Sequence, residues 1–295
     1  NTNITDVCVK DSSVTGNKYT GGFTGSITAA NINNCYVANG SIQGDSPTGG
    51  FVGRVGTGNI TDCYVVGGSV TGSGDVGGFT GSFVYVDYGC TNCYSANEVY
   101  GDKNTGGFSA RNSGATTNCY WDAEVSGQPA SSVGEGLFTV TAKKALAYGG
   151  FDFNEIWQID EGTSYPYLRN LPKPADVIVG TTGNDSVAGG MGTDSDPYLI
   201  ANPSHLNNVR LVPHACFKLI ADIDLGGQNW LPIGNKSTPF KGMFDGNGHV
   251  IENLYINRAD DYTGLFGYTD GVVIESLGIE GANVQGGNYT GALVG

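Results

Sequence analysis

A Gly-Gly-Phe triplet returns along the chain at Gly21-Gly22-Phe23, Gly49-Gly50-Phe51, Gly77-Gly78-Phe79 and Gly106-Gly107-Phe108, in steps of 28, 28 and 29 residues. A second marker runs beside it at Cys35-Tyr36, Cys63-Tyr64, Cys93-Tyr94 and Cys119-Tyr120, with Cys8-Val9 before them. A third is a turn at Ser13-Val14-Thr15-Gly16, Ser41-Ile42-Gln43-Gly44 and Ser69-Val70-Thr71-Gly72. Three short β segments per period, each ended by Gly, describe one triangular coil. A single coil cannot bury its own apolar face. Stacked coils can, at about 4.8 Å per rung, the strand spacing of a sheet. The expected fold is all-β: a parallel β-helix, or β-solenoid, with about 28 residues per rung.

Stacking sets like residues over like. Phe23, Phe51, Phe79 and Phe108 are expected to form an internal ladder, and the cysteines a second column. Neighbouring strand residues point to opposite faces, so inward cysteines predict an exposed row of Tyr36, Tyr64, Tyr94 and Tyr120. Such a row could bind glycans or a protein, pack filaments laterally, or simply face solvent. The Cys column reads as small buried hydrophobes, since the parallel Cβ vectors of stacked rungs are poor geometry for disulfides. Cys90 and Cys93 form one C-x-x-C without a second pair, which points to a local bond or a free Cys90 rather than zinc. Seven cysteines is an odd number, so at least one thiol is free or pairs between chains.

Composition narrows the function. The net charge of −14 argues against nucleic acid, whose phosphates need a basic face. No run of 18 apolar residues is present, so no helical membrane span is expected. Gly, at 49 of 295 residues, and the Val, Ile, Tyr and Phe that dominate the apolar fraction suit short strands joined by tight turns. The chain opens on Asn1 in mid-pattern and reads as a mature form or an excised segment.

The repeat pauses after Tyr120. Residues 1–125 read as solenoid rungs. Residues 126–172 are aromatic and non-repeating, with a short helix predicted over Ala142 to Tyr148, and read as the C-terminal cap of the first solenoid. Residues 173–192 form a Gly/Asp linker. Residues 193–295 read as the N-terminal cap and first rungs of a second solenoid, with a helix from Pro203 to Arg210 and strands at Phe217–Ile220, Gly242–Phe244 and Val250–Ile256. Thr263-Gly264-Leu265-Phe266 and Gly291-Ala292-Leu293 then match the triplet, and Leu277 matches the Cys marker.

These Gly-Gly-Phe-x-Gly and Asn/Asp-Cys-Tyr repeats resemble the GLUG-motif repeats of bacterial and archaeal surface proteins, which also accompany certain immunoglobulin-A-specific metallopeptidases. Asn118-Cys119-Tyr120-Trp121-Asp122 through Trp157 to Tyr165-Pro166-Tyr167-Leu168 resembles the usual end of such a region. Asp196-Pro197-Tyr198-Leu199-Ile200, Trp230-Leu231-Pro232-Ile233-Gly234 and Phe244-Asp245-Gly246-Asn247-Gly248 resemble its usual beginning. The resemblance implies a right-handed parallel β-helix at the cell surface and no catalysis by the repeats. The order is inverted, with the end of one region first and the start of another last. From Leu293 through the chain end to Cys8 is 10 residues, against Phe-to-Cys gaps of 11 to 14 inside the chain, so the two ends nearly share a register. A head-to-tail stack of copies, or a tandem array, is expected from this.

The linker also resembles a short repeats-in-toxin segment, whose Gly-Gly-x-Gly-x-Asp turns supply oxygens to calcium. That likeness implies Asp176, Asn184, Asp185, Asp194 and Asp196 as calcium donors; a solvated linker is the alternative. Catalysis is not expected. The three histidines make no H-E-x-x-H, there is no G-x-S-x-G elbow, and Asp222, Asp224 and Asp245 fall where turn roles suffice. Five N-x-S/T sequons, at Asn3, Asn59, Asn184, Asn235 and Asn288, are candidate glycosylation sites. The sequence thus points to a non-enzymatic extracellular structural protein that self-associates head to tail, or else to an adhesin that uses the Tyr row on cell-surface glycans or proteins.

Overall fold

A computed structural model describes residues 2–177 and 186–295, apart from the side chain of Asp176. The chain is a β-solenoid of about 10 turns with about 28 residues per turn and little helix. It divides into two units, Asn1–Thr182 and Gly183–Gly295.

In the first unit, successive rungs pair in parallel. Tyr36–Gly44, Tyr64–Gly72, Gly89–Gly101 and Ala115–Asp122 lie side by side, with Tyr36, Tyr64, Tyr94 and Tyr120 in register. Two further four-stranded ladders are built from Thr20–Gly21, Thr48–Gly49, Val76–Gly77 and Thr105–Gly106, and from Thr24–Thr28, Val52–Thr57, Thr80–Phe83 and Ser109–Arg111. The corner before the Cys position is made by Asp6, Asn34, Asp62, Asn92 and Asn118, at φ of 57, 52, 51, 52 and 51°. Asx residues are the L-residues that best tolerate this left-handed conformation. Their side chains continue the ladder: the Asn118 amide donates to Asn92 (2.9 Å) and the Asn92 amide to Asp62 (3.2 Å). The glycines of the triplet are needed for close approach, because a Cβ on Gly49 or Gly50 would land on backbone atoms of the next rung.

The expected phenylalanine ladder is present. Phe23, Phe51, Phe79 and Phe108 stack at centroid distances of 4.6, 4.9 and 4.8 Å, with ring planes within 8° of parallel. Val37 and Ile42 are buried near Gly22, the residue before Phe23. All seven cysteines are free thiols. Cys35, Cys63, Cys93 and Cys119 are buried as one column, while Cys90 pairs in register with Ile60 in a column of isoleucines. Cys8 corrects the sequence reading. It pairs with Tyr36, so it occupies the Tyr column, and Val7, whose N–H donates to Cys35 Sγ (3.4 Å), holds the Cys position. The marker is offset by one residue there, and the gap from Leu293 to the Cys column is one residue shorter than the sequence count.

The helix predicted over Ala142 to Tyr148 resolves into an α-turn at Thr139–Ala142 and a 3₁₀ turn at Ala145–Ala147. So short a segment cannot nucleate a regular helix and takes the turns its packing dictates.

In the second unit, Asn202 caps the helix Pro203–Asn208 by accepting from the His205 N–H (2.9 Å), and a 3₁₀ turn carries it on to Leu211. Parallel strands follow at Tyr198–Ile200, Cys216–Leu219, Met243–Asp245 and Val273–Glu275, and at Ile223–Asp224, Val250–Glu252 and Gly278–Glu280. The single strand predicted over Val250–Ile256 is broken by Asn253, at φ 54°, and resumes at Tyr255–Asn257, which pairs with Asn283–Gln285. The interior is again aromatic: Phe217, Phe240, Phe244 and Phe266 are fully buried.

Removing a middle ring of the ladder should cost more than removing its half-buried end. Phe79→Ala is expected to lower unfolding stability by about 3–5 kcal/mol and Phe23→Ala by clearly less, as read by chemical denaturation.

Candidate functional site

The tyrosine row is the largest departure from expectation. Tyr36, Tyr64, Tyr94 and Tyr120 are 0, 0, 1 and 7% exposed, so they do not form a binding surface. The strand alternation itself holds: Val37 packs inside, whereas Tyr36 and Ala38 join a separate cluster. That outer face is roofed by residues 137–177, which bring Leu137, Tyr148, Phe151, Trp157, Tyr165 and Leu168 against it. Tyr64 and Tyr94 lie beside Trp157 at 5.8 and 6.1 Å. The Tyr36 and Tyr94 hydroxyls donate to the Pro172 and Pro166 carbonyls, both at 2.6 Å, and the Gly149 N–H donates to the Tyr120 hydroxyl at 3.0 Å. The Tyr64 hydroxyl is buried without a hydrogen-bond partner among the described residues. Burial holds the Tyr64 and Tyr94 phenols well above the ordinary value. The sequence signal for this burial is Tyr36-Val37-Ala38 and Tyr64-Val65-Val66, which are apolar on both faces, whereas a solvated strand would alternate.

Two side chains fasten the roof. Trp157 Nε1 donates to Asp62 Oδ1 at 3.0 Å. Asp122, 1% exposed, caps the short helix Ala123–Ser126 by accepting from the Glu124 and Val125 N–H groups, each at 2.9 Å. Its other oxygen accepts from the Thr139 and Tyr165 hydroxyls, each at 2.7 Å. Burial, only partly offset by these bonds, pushes its carboxyl up to about 6.

The other candidate residues are scattered. Of the proposed calcium donors, Asn184 and Asp185 lie outside the described residues, as does the Asp176 side chain. Asp194 and Asp196 are exposed on a turn where the Asp196 N–H donates to Thr193 Oγ1 at 3.1 Å. Among the described residues no group of three or more His, Cys, Asp or Glu converges on a point. Asn3, Asn59, Asn235 and Asn288 are exposed, and Asn184 again lies outside the described residues. Asp222 accepts from the Val250 N–H, Asp224 from the Gly226 N–H and Asn253 amide, and Asp245 pairs with Lys218 at 2.9 Å. These bonds hold all three carboxyls below the ordinary range.

One open groove, of about 450 Å³, has Gln43, Thr71 and Tyr100 in one in-register row and Asp45, Ser73 and Asp102 along its other side, closed by Gln128. The Tyr100 ring is 55% exposed there. Apart from it, the first unit has the strands Thr2–Thr5, Cys8–Lys10 and Ser13–Thr15, and the second unit Val273–Glu275, Gly278–Glu280 and Asn283–Gln285. Among the described residues each of these strands has a ladder neighbour on one side only.

A stretch of 98 residues is 45% identical to a protein of Evansella cellulosilytica named "Putative Gly-rich membrane protein", covering 30% of this chain and 11% of that one. A stretch of 131 residues is 34% identical to "Halomucin" of Haloquadratum walsbyi, covering 39% of this chain and 1% of that one. The chain thus spans a small part of the length of either relative. No family model and no solved structure matches it. No helix among the described residues is long and apolar enough to cross a membrane.

Two outcomes follow from the roof. Tyr64→Phe, which deletes an unpartnered hydroxyl, is expected to leave stability unchanged or raise it, whereas Tyr94→Phe strands the Pro166 carbonyl and should cost about 1–2 kcal/mol; paired melting curves check this. Asp122 is more easily protonated when folded than when unfolded. It therefore favours the fold fully below about pH 4, and that contribution is lost as pH rises through about 6. The shift corresponds to roughly 3 kcal/mol. Unfolding free energies from pH 4 to 7 should fall more steeply in wild type than in Asp122→Asn, and parallel slopes would refute the assignment.

Proposed function

We propose that this chain is a non-enzymatic extracellular structural protein, one unit of a tandem or head-to-tail array at the cell surface. The observation that supports this reading is the parallel, in-register stacking of rungs, which a further rung can continue, whether it belongs to the same polypeptide or to another copy. A heterologous contact of this kind does not close on itself and builds a filament. The net charge of −14 suits a solvated exterior, and the names of the two relatives, a membrane protein and a halomucin, are in keeping with a cell-surface setting. The GLUG likeness, with its right-handed helix, belongs to the same reading.

A second reading, an adhesin or carbohydrate-binding module, moves from the buried tyrosine row to the Tyr100 groove, where an exposed ring flanked by amides, hydroxyls and carboxylates suits a polyhydroxylated ligand. Calcium around residues 176–196 is a further part of the proposal, with Asp194 and Asp196 as its described carboxylates.

Electron micrographs and sedimentation velocity over a concentration series are expected to show rods that lengthen with concentration. A strictly monomeric chain at the highest soluble concentration would count against assembly. Glycan-array binding lost in Tyr100→Ala would favour the second reading. Calorimetric titration with calcium is expected to give a saturable heat that Asp194→Asn and Asp196→Asn abolish; no heat would remove calcium from the proposal.

A further inference from the structure

The sequons sit in different backbone settings, and one of them stands clear of the ladders. Ile233 and Phe240 are fully buried and bridge to Phe266 and Thr269 of the next rung. Six residues, 234–239, join the first pair, whereas two, 267–268, join the second. The longer connection has to leave the wall of the rung, and Asn235, Lys236 and Ser237 are exposed on that excursion. Asn235 folds it. Its Oδ1 accepts from the Ser237 and Thr238 N–H groups at 2.8 and 2.9 Å, and its own N–H donates to the Thr238 carbonyl at 2.9 Å. This is an Asx turn. Both partners of the side chain are donors, so the oxygen must be the acceptor and the amide nitrogen is the atom left over. Among the described residues no hydrogen bond holds that nitrogen.

The other described sequons are held differently. Asn59-Ile60-Thr61 is extended between two rungs. Ile60 is fully buried, in register with Ile32 and Cys90. The Asn59 N–H donates to Asn31 Oδ1 at 3.3 Å, and Asn59 Oδ1 accepts from the Gly89 N–H at 3.4 Å. Turning this sequon would pull Ile60 out of the interior. Asn3-Ile4-Thr5 is extended too, paired residue by residue with Asn31, Ile32 and Asn33. In Asn288-Tyr289-Thr290 the amide nitrogen itself is engaged, since Asn288 Nδ2 donates to Asp261 Oδ1 at 3.0 Å.

We propose that Asn235 is an acceptor for an N-linked glycan, and the preferred one of these four sequons in the folded chain. The donor class is an oligosaccharide carried on a lipid pyrophosphate. Transfer forms a bond from Asn235 Nδ2 to the anomeric carbon of the first sugar and breaks that carbon's bond to the pyrophosphate oxygen. The lipid pyrophosphate leaves, and one amide proton passes to a base of the transferase. An Asn-x-Ser/Thr acceptor has to be reached at the surface. At Asn235 this needs no strand to open, because the loop lies outside every ladder. At Asn59 and Asn3 a paired strand must open first, and at Asn288 the bond to Asp261 must break. The inference goes beyond the assembly reading and does not depend on it.

The test incubates the full chain with a lipid-pyrophosphate-linked oligosaccharide and a single-subunit oligosaccharyltransferase that reads N-x-S/T alone. A digest of the same chain cut at its aspartates, which leaves all four sequons whole, is treated in parallel. Peptide mass spectrometry reads the occupancy of each site. In the folded chain Asn235 is expected to exceed Asn3, Asn59 and Asn288 by roughly tenfold or more, because the other sites wait on local opening. In the digest that preference is expected to vanish. Ser237→Ala keeps the backbone N–H that closes the turn but removes the sequon hydroxyl, so it should abolish transfer to Asn235 with an unchanged melting curve. Transfer to another of the four ahead of Asn235, or none to Asn235 in the folded chain, overturns the assignment. So does an equal preference in folded chain and digest, which would put the selection in the local sequence rather than in the fold.

Discussion

In each unit the nearest neighbours of a side chain are the residues at its own position one rung below and one rung above. Parallel in-register pairing imposes this, and it selects residues that tolerate copies of themselves. Aromatic rings do, as offset stacks. Asn and Asp do when one amide can donate to the next oxygen, as Asn118, Asn92 and Asp62 do in turn. Charges do not, because a column of like charges repels along its whole length. The low charged fraction, 14%, follows from that constraint, and Glu252 beside Glu280 is one of its exceptions.

The first unit has two apolar layers rather than one. Phe23, Phe51, Phe79 and Phe108 fill the inside of the coil, and the tyrosine column fills the seam between the coil and residues 137–177. The seam is more polar than the interior because each tyrosine carries a hydroxyl, and the roof answers most of them with backbone groups. Asp122 is the point where strand, short helix and roof are tied by a single carboxylate.

Much of the fold was legible because its signal is periodic. The triplet predicted the phenylalanine stack, and Gly-Gly marked where rungs approach most closely. The tyrosine row was misplaced although the alternation rule behind it held. What covers that face is a non-repeating segment more than 25 residues away in sequence from its nearest tyrosine at many of its contacts, and periodicity carries no information about such a partner. Cys8 differs for another reason: its residue type fits the column, but the backbone register places Val7 there. The strand expected over Val250–Ile256 is shorter because Asn253 forms a corner within it. The Tyr100 groove has no sequence signature at all, since its two sides are assembled from three rungs and closed by Gln128 from beyond the fourth.

The roof also acts as a ruler. It reaches along the tyrosine column from Tyr120, beside Gly149, to Tyr36, beside Pro172, and at the next rung the column changes to the smaller Cys8. A solenoid can in principle gain or lose whole coils by duplication at little cost, since each new rung finds the same neighbours as the last. Here a duplicated coil would present a tyrosine with nothing above it, and a deleted one would leave part of the roof overhanging bare backbone. The number of tyrosine-bearing coils is therefore tied to the length of a segment that contains no repeat, and the two can change only together.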